Sequence, residues 1–348
     1  MSDVVVVEAV RTPLGRKDGA LSDQYPEDLI IAVLDALVSR TGVDPDDWDG
    51  FRLGCANQED EQGRNLARQA LLAGGYPHDV PAATTNRLCG SSLTALIDAS
   101  RAIATGNASI LPVAGVEHMS RVAFSDWLHP NIVDQYGERS LQMGQTAETI
   151  AREHDISRER QDEFALRSHE RAIEAWEDNR YEGEVISVED VSRDGGPRPD
   201  TSMEALRELP TVFRDDEDAT VTPGNAAPIT DGAAGLLLMS RDVADAYGLD
   251  PLGSVGASAT VGVDPRRMGR GPIPATEKSL QRAGTSVSDL DLIELNEAFA
   301  AQALHCIDEL GLPLERVNVN GGAIALGHPL GCSGARIVTT LLHELNRR

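Results

Sequence analysis

One cysteine of the chain occupies a position that suits a nucleophile. Cys89 lies in NRLCGSS, between an apolar–polar run typical of a strand and a glycine–serine turn that opens a helix. Backbone N–H groups and the partial positive charge of a helix N-terminus favour the thiolate, which predicts a lowered thiol pKa. Inert cysteines are also common in protein interiors, so the residues around Cys89 leave both interpretations open.

A histidine far along the chain could activate this thiol. His328 lies in GGAIALGHPLGCSG, a glycine-rich loop between a predicted strand and a predicted helix, where packing does not require an imidazole. A histidine beside a cysteine is the usual means of making a thiol nucleophilic. The alternative is an ordinary histidine on a surface loop.

An asparagine–glutamate pair marks another junction between a strand and a helix. Asn296 and Glu297 interrupt LIELNEAFAAQ where an apolar run passes into a helix. Asn296 could cap that helix, which would account for it fully. Its amide could instead hold a water molecule or a carbonyl oxygen in a reaction site.

Alternating strands and helices are predicted to position these side chains. Runs of strand character occupy 4–10, 51–57, 81–86, 108–120, 231–240, 252–263, 290–295 and 316–321. Helical periodicity occupies 26–42, 64–75, 157–179, 275–284, 334–345 and the stretches that follow Cys89 and Asn296. This alternation predicts an α/β protein with a parallel, layered sheet. A pseudo-dyad between two similar halves would bring the glycine-rich turns of Cys89 and His328 together.

The middle of the chain breaks this alternation. Residues 119–229 contain the long helix 157–179, which Ser157 is placed to cap, and then a segment rich in proline, glycine and aspartate. Long ordered loops of this kind usually carry binding or catalytic residues. We therefore predict three parts, formed by 1–118 with 230–251, by 119–229, and by 252–348.

The charge of the chain limits its partners. A formal net charge of −25 over 348 residues argues against nucleic-acid binding. Lysine occurs only at Lys17 and Lys278, a balance that favours a protein of an extreme halophile over an ordinary acidic protein. Neither a membrane-spanning run nor a signal peptide is visible, and four cysteines show no close pairing. We therefore expect a cytoplasmic protein with free thiols and no membrane partner.

Ordered motifs along almost the whole chain resemble those of one family, the thiolases, which include acetyl-CoA acetyltransferases and 3-ketoacyl-CoA thiolases. The matching stretches are VEAVRTPLGR (7–16), NRLCGSSL (86–93), GVEHMSR (115–121), MGQTAE (143–148), TPGNAAPITDGAAGLLLMS (222–240), GVDPRRMGRGPIPAT (262–276), NEAFAAQ (296–302) and NVNGGAIALGHPLGCSGARI (318–337). The resemblance implies the thiolase fold, with two layered βαβ halves (αβαβα) related by a pseudo-dyad and an inserted loop domain at 119–229 that binds coenzyme A.

The resemblance also implies roles for single residues. Cys89 would accept an acyl group from an acyl-CoA, and His328 would activate it and contribute to an oxyanion hole that a water held by Asn296 completes. Met143 and Met268 would line the pantetheine channel. Ala227 stands where the family usually has a serine, which removes one expected pantetheine contact.

The implied reaction is thiolysis of a 3-ketoacyl-CoA, as in fatty-acid β-oxidation, or condensation of two acetyl-CoA molecules. Coenzyme A thioesters would be substrates, with no further cofactor and no metal. Since the fold usually buries its edges between subunits, a homodimer or homotetramer is expected.

The resemblance stops short at the C-terminus. In the family, two more strands and a Cys-x-Gly-Gly-Gly loop with a second catalytic cysteine follow the helix that matches 334–345, whereas this sequence ends at Arg348. Cys332, Cys306 and Cys55 are interpreted as packing residues and not as replacements. The alternatives to a complete thiolase are a thioester hydrolase and a non-catalytic partner subunit.

Overall fold

The computed structural model describes residues 3–124 and 127–348. The strands are β1 Val4–Arg11, β2 Gly15–Arg16, β3 Phe51–Gly54, β4 Ala82–Thr85, β5 Ile110–His118, β6 Thr230–Ser240 and β7 Gly253–Ser254. The helices are α1 Pro26–Thr41, α2 Leu66–Ala73, α3 Ser91–Ala104, α4 Pro130–Tyr136, α5 Glu138–Leu141, α6 Met143–Glu153, α7 Arg158–Glu177, α8 Met203–Arg207, α9 Arg241–Tyr247, α10 Pro272–Ala283, α11 Ala300–Leu310, α12 Ala323–Leu326 and α13 Ser333–Arg347. Short 3₁₀ turns lie at Pro45–Asp47, Asp60–Gln62, Pro265–Arg270 and Val287–Asp289.

One mixed sheet forms the centre of the molecule. Its strands run in the order β4-β3-β5-β6-β1-β7, with β2 also paired to β6. The pairs β4–β3 and β3–β5 are parallel, as predicted, but β5–β6, β6–β1 and β1–β7 are antiparallel. The prediction of a parallel sheet is therefore confirmed for β4, β3 and β5 and wrong for the pairs that involve β6 and β1. Strand β6 follows the long insertion instead of a crossover helix, so nothing forces it to run parallel to β5.

Helices cover both faces of this sheet. On one face, Leu29 and Val33 of α1 pack with Leu71 of α2 against the sheet. On the other face, Leu96 of α3 and Ala335 of α13 share a core with β1, β5 and β6. Every residue of β5 and β6 is buried, because both faces of these strands are covered. The sheet therefore sets the positions at which α3 and α13 begin.

The strands expected in the last third are largely absent from the described structure. Of 252–263, only Gly253–Ser254 is a strand, and it pairs with β1. The runs 290–295 and 316–321 meet in a single parallel bridge between Ile293 and Val317. The prediction of these three strands is wrong in extent, because a strand persists only where a neighbour satisfies its backbone groups.

A second core joins the inserted region to the last third of the chain. Ile150 of α6 and Phe164 of α7 pack with Leu304 of α11. The hydroxyl of Ser157 accepts a hydrogen bond from the N–H of Arg160 at 3.2 Å, which confirms its predicted capping of α7. Of the helices in residues 3–124 and 127–348, none is both long and apolar enough to cross a membrane.

Candidate active site

Cys89 lies in a tight turn between β4 and α3. Leu88, directly before it, has a φ of 48°, a left-handed conformation that is uncommon outside glycine and often marks a functional turn. The turn is held locally, since the N–H of Leu88 donates to Asn86 Oδ1 at 2.9 Å and the N–H of Arg87 donates to Ser91 Oγ at 2.9 Å. Cys89 is a free, half-buried thiol at the start of the helix.

The environment of this thiol differs from the prediction. Burial, followed by the charge of Glu117, raises the pKa of Cys89 to about 11. The prediction that the helix N-terminus lowers the pKa of Cys89 is therefore wrong, because desolvation of the thiolate has the larger effect. A thiol with this pKa remains protonated at neutral pH, so its use as a nucleophile requires a base.

His328 is held inside the protein and not on a surface loop. The preceding Gly327 has a φ of 119°, and a Cβ there would lie 2.4 Å from Thr230 Oγ1. The N–H of His328 donates to that same oxygen at 3.2 Å. Burial, with a smaller contribution from Arg336, lowers the pKa of His328 to about 4, so its imidazole is neutral at neutral pH.

Hydrogen bonds assign the tautomer of this histidine. The hydroxyl of Ser333 lies 2.6 Å from His328 Nδ1 and donates to the carbonyl of Pro329 at 2.9 Å. We assign the single proton of that hydroxyl to the carbonyl of Pro329, and Nδ1 of His328 is then the donor to Ser333. The lone pair of His328 Nε2 is then the basic site.

Asn296 is in direct contact with this histidine. Its Nδ2 lies 3.3 Å from both ring nitrogens of His328. Helix α11 begins at Ala300 with Phe299 as its N-cap, so Asn296 does not cap this helix. Its Oδ1 is buried with no hydrogen-bond partner within residues 3–124 and 127–348, and it is therefore free to accept a hydrogen bond from a bound molecule.

A cavity of about 970 Å³ connects the predicted residues. Cys89, Asn296, Met143 and Met268 all line it, and each methionine is 37% exposed. Much of the remaining wall is apolar and includes Leu88, Leu93, Phe124, Trp127, Leu128 and Leu141. A cavity of this size and character suits a long, largely apolar substrate.

Two of the predicted residues lie outside the cavity wall. His328 is buried behind it, in contact with Asn296 and Ser333, which do line it. In the described part of the chain no hydrogen bond joins His328 to Cys89. Ala227 is also absent from the wall, although its N–H donates to the carbonyl of Ala298, a lining residue, at 3.0 Å.

Glu117 is a buried residue that sequence reasoning missed. One of its carboxylate oxygens accepts from the N–H of Gly331 at 2.7 Å and from the N–H of Ala56 at 3.0 Å. The other accepts from the N–H of Asn57 at 3.1 Å and from the side chain of Gln62 at 2.7 Å. Glu117 thus ties the segment after β3 to the loop of His328. An acidic residue inside the apolar run VAGVEH was the available signal.

Glu297 ties the same loop from the opposite side. Its carboxylate accepts hydrogen bonds from Ser168 Oγ at 2.7 Å, from Asn318 Nδ2 at 2.7 Å and from the N–H of Ile324 at 3.1 Å. The two neighbouring residues therefore have different roles. Asn296 faces the cavity, whereas Glu297 holds the backbone at Ile324.

The other three cysteines are buried free thiols. Cys332 belongs to the core between the sheet and α13, and burial raises its pKa to about 12. Cys306 Sγ donates to the carbonyl of Gly269 at 3.3 Å, and Cys55 packs after β3 in the other core. In the described part of the chain, Cys89 is the one cysteine of the cavity wall.

Family models match nearly the whole chain. The thiolase N-terminal domain matches residues 4–242 and the thiolase C-terminal domain matches residues 249–348. The chain belongs to the thiolase family and is an acyltransferase of the thiolase type.

Curated relatives and solved structures agree with this assignment. The chain is 47% identical to a 3-ketoacyl-CoA thiolase of Aeromonas hydrophila, covering 100% of this chain and 94% of the relative. It is 48% identical to a 3-ketoacyl-CoA thiolase of Erwinia tasmaniensis over the same shares. Its fold superposes on human mitochondrial 3-ketoacyl-CoA thiolase with a TM-score of 0.91 at 38% identity, and on an acetyl-CoA acetyltransferase of Bacillus anthracis with 0.90 at 39%. Each alignment covers 100% of this chain and 93% of the other.

Proposed function

We propose that this acyltransferase cleaves 3-ketoacyl-CoA thioesters with coenzyme A, through an acyl group carried on Cys89. The observation that carries this proposal is one cavity that holds the Cys89 thiol and the free amide oxygen of Asn296, with the neutral His328 directly behind that amide. The names of the relatives support a 3-ketoacyl-CoA as the substrate.

The first step is attack by Cys89 Sγ on the ketone carbon of the substrate. His328 Nε2 accepts the thiol proton through a bound water, because no hydrogen bond joins the two side chains in the described structure, and the carbonyl oxygen becomes an oxyanion. The imidazolium and a water bound to Asn296 stabilise this charge, and a preorganised donor of this kind contributes about 3–4 kcal/mol. The carbon–carbon bond then breaks, and the acyl group stays on sulfur. The two-carbon CoA thioester leaves as a carbanion that takes up the proton held on His328 Nε2, which returns the imidazole to its neutral form.

The second step returns Cys89 to its free form. The thiol of a second coenzyme A loses its proton to His328 and attacks the acyl–sulfur carbon, which expels the Cys89 thiolate. Met143 and Met268 are proposed to contact the pantetheine arm, because both line the cavity and flexible thioether side chains pack well against a narrow apolar chain. Ala227 is proposed to act only through its backbone contact with the cavity wall.

Mass spectrometry of the intact chain tests the proposal. Incubation with a 3-ketoacyl-CoA in molar KCl should add the acyl mass to Cys89, coenzyme A should then remove it, and Cys89→Ala should gain no mass. Acyl-enzyme that decays to the free acid, and gives no new acyl-CoA, would indicate the hydrolase. Absence of any acyl mass would indicate a non-catalytic partner subunit and would refute the proposal.

We further propose that the protein works as a homo-oligomer in a salt-rich cytoplasm. A net charge of −25 repels itself in dilute buffer, and high ionic strength screens that repulsion. The urea midpoint of unfolding should therefore rise from dilute buffer to molar KCl. Sedimentation at both salt concentrations would report the subunit number.

A further inference from the structure

A second group of reactive side chains lies outside the active-site cavity, between α6 and α11. His305 and Glu309 are one turn apart on α11, and His154 is the C-cap residue of α6. The imidazole rings of His154 and His305 face each other with centroids 3.8 Å apart and an interplanar angle of 27°. One nitrogen from each ring and one carboxylate oxygen of Glu309 all lie within 4.8 Å of one another.

His305 is an unusual residue for this interface. Its side chain is 1% exposed, and its Nε2 is buried without a hydrogen-bond partner in the described chain. A buried polar atom without a partner costs free energy, so a ligand that supplies the missing bond would be stabilising. Packing alone would be served better by an apolar side chain at position 305.

The donor set and its spacing fit a metal ion. Residues four apart on a helix lie on the same face, which places His305 and Glu309 side by side. Two imidazole nitrogens and one carboxylate oxygen are ligands that Zn²⁺ and similar divalent ions accept at about 2.0–2.2 Å. Donors at that distance from one ion lie closer together than 4.8 Å, and 4.8 Å is the limit within which all three donor atoms lie. The exposed side chain of Glu309 can adjust its position around the ion.

We propose that His154, His305 and Glu309 bind a divalent transition-metal ion, with Zn²⁺ as the model ion, and that this ion joins α6 to α11. The role is structural. Helix α6 begins at Met143, which lies in the cavity wall. On α11, Cys306 follows His305 and donates a hydrogen bond to the carbonyl of Gly269, which is also a wall residue. An ion at this position would stiffen one wall of the substrate cavity without contacting the reaction centre.

Zinc titration of tag-free protein tests the site. All measurements use a Cys89→Ser background, because the active-site thiol would otherwise compete for zinc. Competition against a chromophoric chelator should give one Zn²⁺ per chain. His305→Gln should weaken binding by about 100-fold and Glu309→Gln by about 10-fold, whereas Mg²⁺, which prefers oxygen ligands, should not compete.

The control is His78→Gln, which removes an exposed histidine far along the chain from both helices. It should leave the zinc affinity unchanged. Zinc should raise the melting temperature of the His78→Gln protein as much as that of the parent protein, because both bind the ion only when folded. Equal zinc affinity in the parent, His305→Gln and Glu309→Gln proteins would overturn the proposal. Because Glu309 is exposed, its variant decides the question even if His305→Gln fails to fold.

Discussion

The turn of Cys89 and the turn of His328 both lead into a central helix, but the protein holds them in different ways. Cys89 follows β4, an edge strand of the sheet, and residues 86–88 are exposed. Its turn is held mainly by bonds among residues 86–91. Residues 320–336 are all buried, and His328 is held by a contact from Thr230, far along the chain.

The different ways of holding the two turns suit the different roles proposed for Cys89 and His328. A nucleophile that attacks, carries and releases an acyl group must remain accessible, which suits a locally held turn. A base and oxyanion donor must stay in place while charge develops, which suits a loop that Glu117 and Glu297 fix from two sides. The same contrast separates the two cysteines that precede these helices, because Cys89 faces the cavity and Cys332 is fully buried.

Exchange of each cysteine for alanine should show the largest difference between the turns. Cys89→Ala should abolish acylation and lower thiolysis by at least about 10³-fold, with little change in unfolding. Cys332→Ala should retain most activity and cost about 1–2 kcal/mol of unfolding free energy, because it removes a buried sulfur from the core. Thiolysis rates and urea unfolding of both variants check this, and loss of activity in Cys332→Ala without loss of stability would contradict the division.

Removal of the base should have the next largest effect. His328→Gln leaves a polar side chain near Asn296 but no group of suitable basicity, so the acylation rate should fall by about 10²–10⁴-fold. With the base removed, the remaining rate should rise about tenfold per pH unit, because only the small thiolate fraction of Cys89, with its pKa of about 11, can react. Stopped-flow acylation over a pH series measures this. A variant rate that does not depend on pH would show that His328 is not the base.

Replacing one glycine by alanine in each turn tests which of the two turns is the more rigid. Gly327→Ala imposes a side chain at φ 119° and a contact of 2.4 Å with Thr230 Oγ1, so His328 must shift and the rate should fall by about 10²-fold. Gly90→Ala meets only an ordinary contact of 3.4 Å with the carbonyl of Arg87, although Gly90 lines the cavity, and should lower the rate much less than Gly327→Ala. Equal losses of rate in the two variants would show that the turns are equally rigid.

The first third of the chain follows from its sequence because its signals are local. The apolar run 4–10 and the periodic segment 26–42 became β1 and α1 within a residue or so, since each carries its own pattern and end signal. The runs 252–263, 290–295 and 316–321 carry similar patterns but lack enough neighbouring strands in the described structure, and a strand depends on its neighbours.

In the candidate site, too, the residues with a local signal could be predicted and the contacts between distant residues could not. Cys89, His328 and Asn296 stand out because each interrupts an apolar or glycine-rich run. The contacts of Glu117 with Gly331 and of Glu297 with Ser168 join residues more than a hundred positions apart, and no local pattern reports such a contact. The raised pKa of Cys89 likewise depends on burial, which the helix start alone does not reveal.

The smallest expected effect is a difference in how the two turns respond to pH. Burial lowers the pKa of His328 from 6.5 to about 4, so the unfolded chain binds a proton first and stability falls as the pH drops through that window. Burial raises the pKa of Cys89 from 9.0 to about 11, so the unfolded chain loses its proton first and stability falls as the pH rises through that range. Each group contributes a slope of up to about 1.4 kcal/mol per pH unit. In urea unfolding in molar KCl, His328→Gln should flatten only the acid side of the pH profile and Cys89→Ala only the alkaline side. An unchanged acid slope in His328→Gln would mean that this imidazole is not buried in its neutral form, and its proposed role as the base would fail with it.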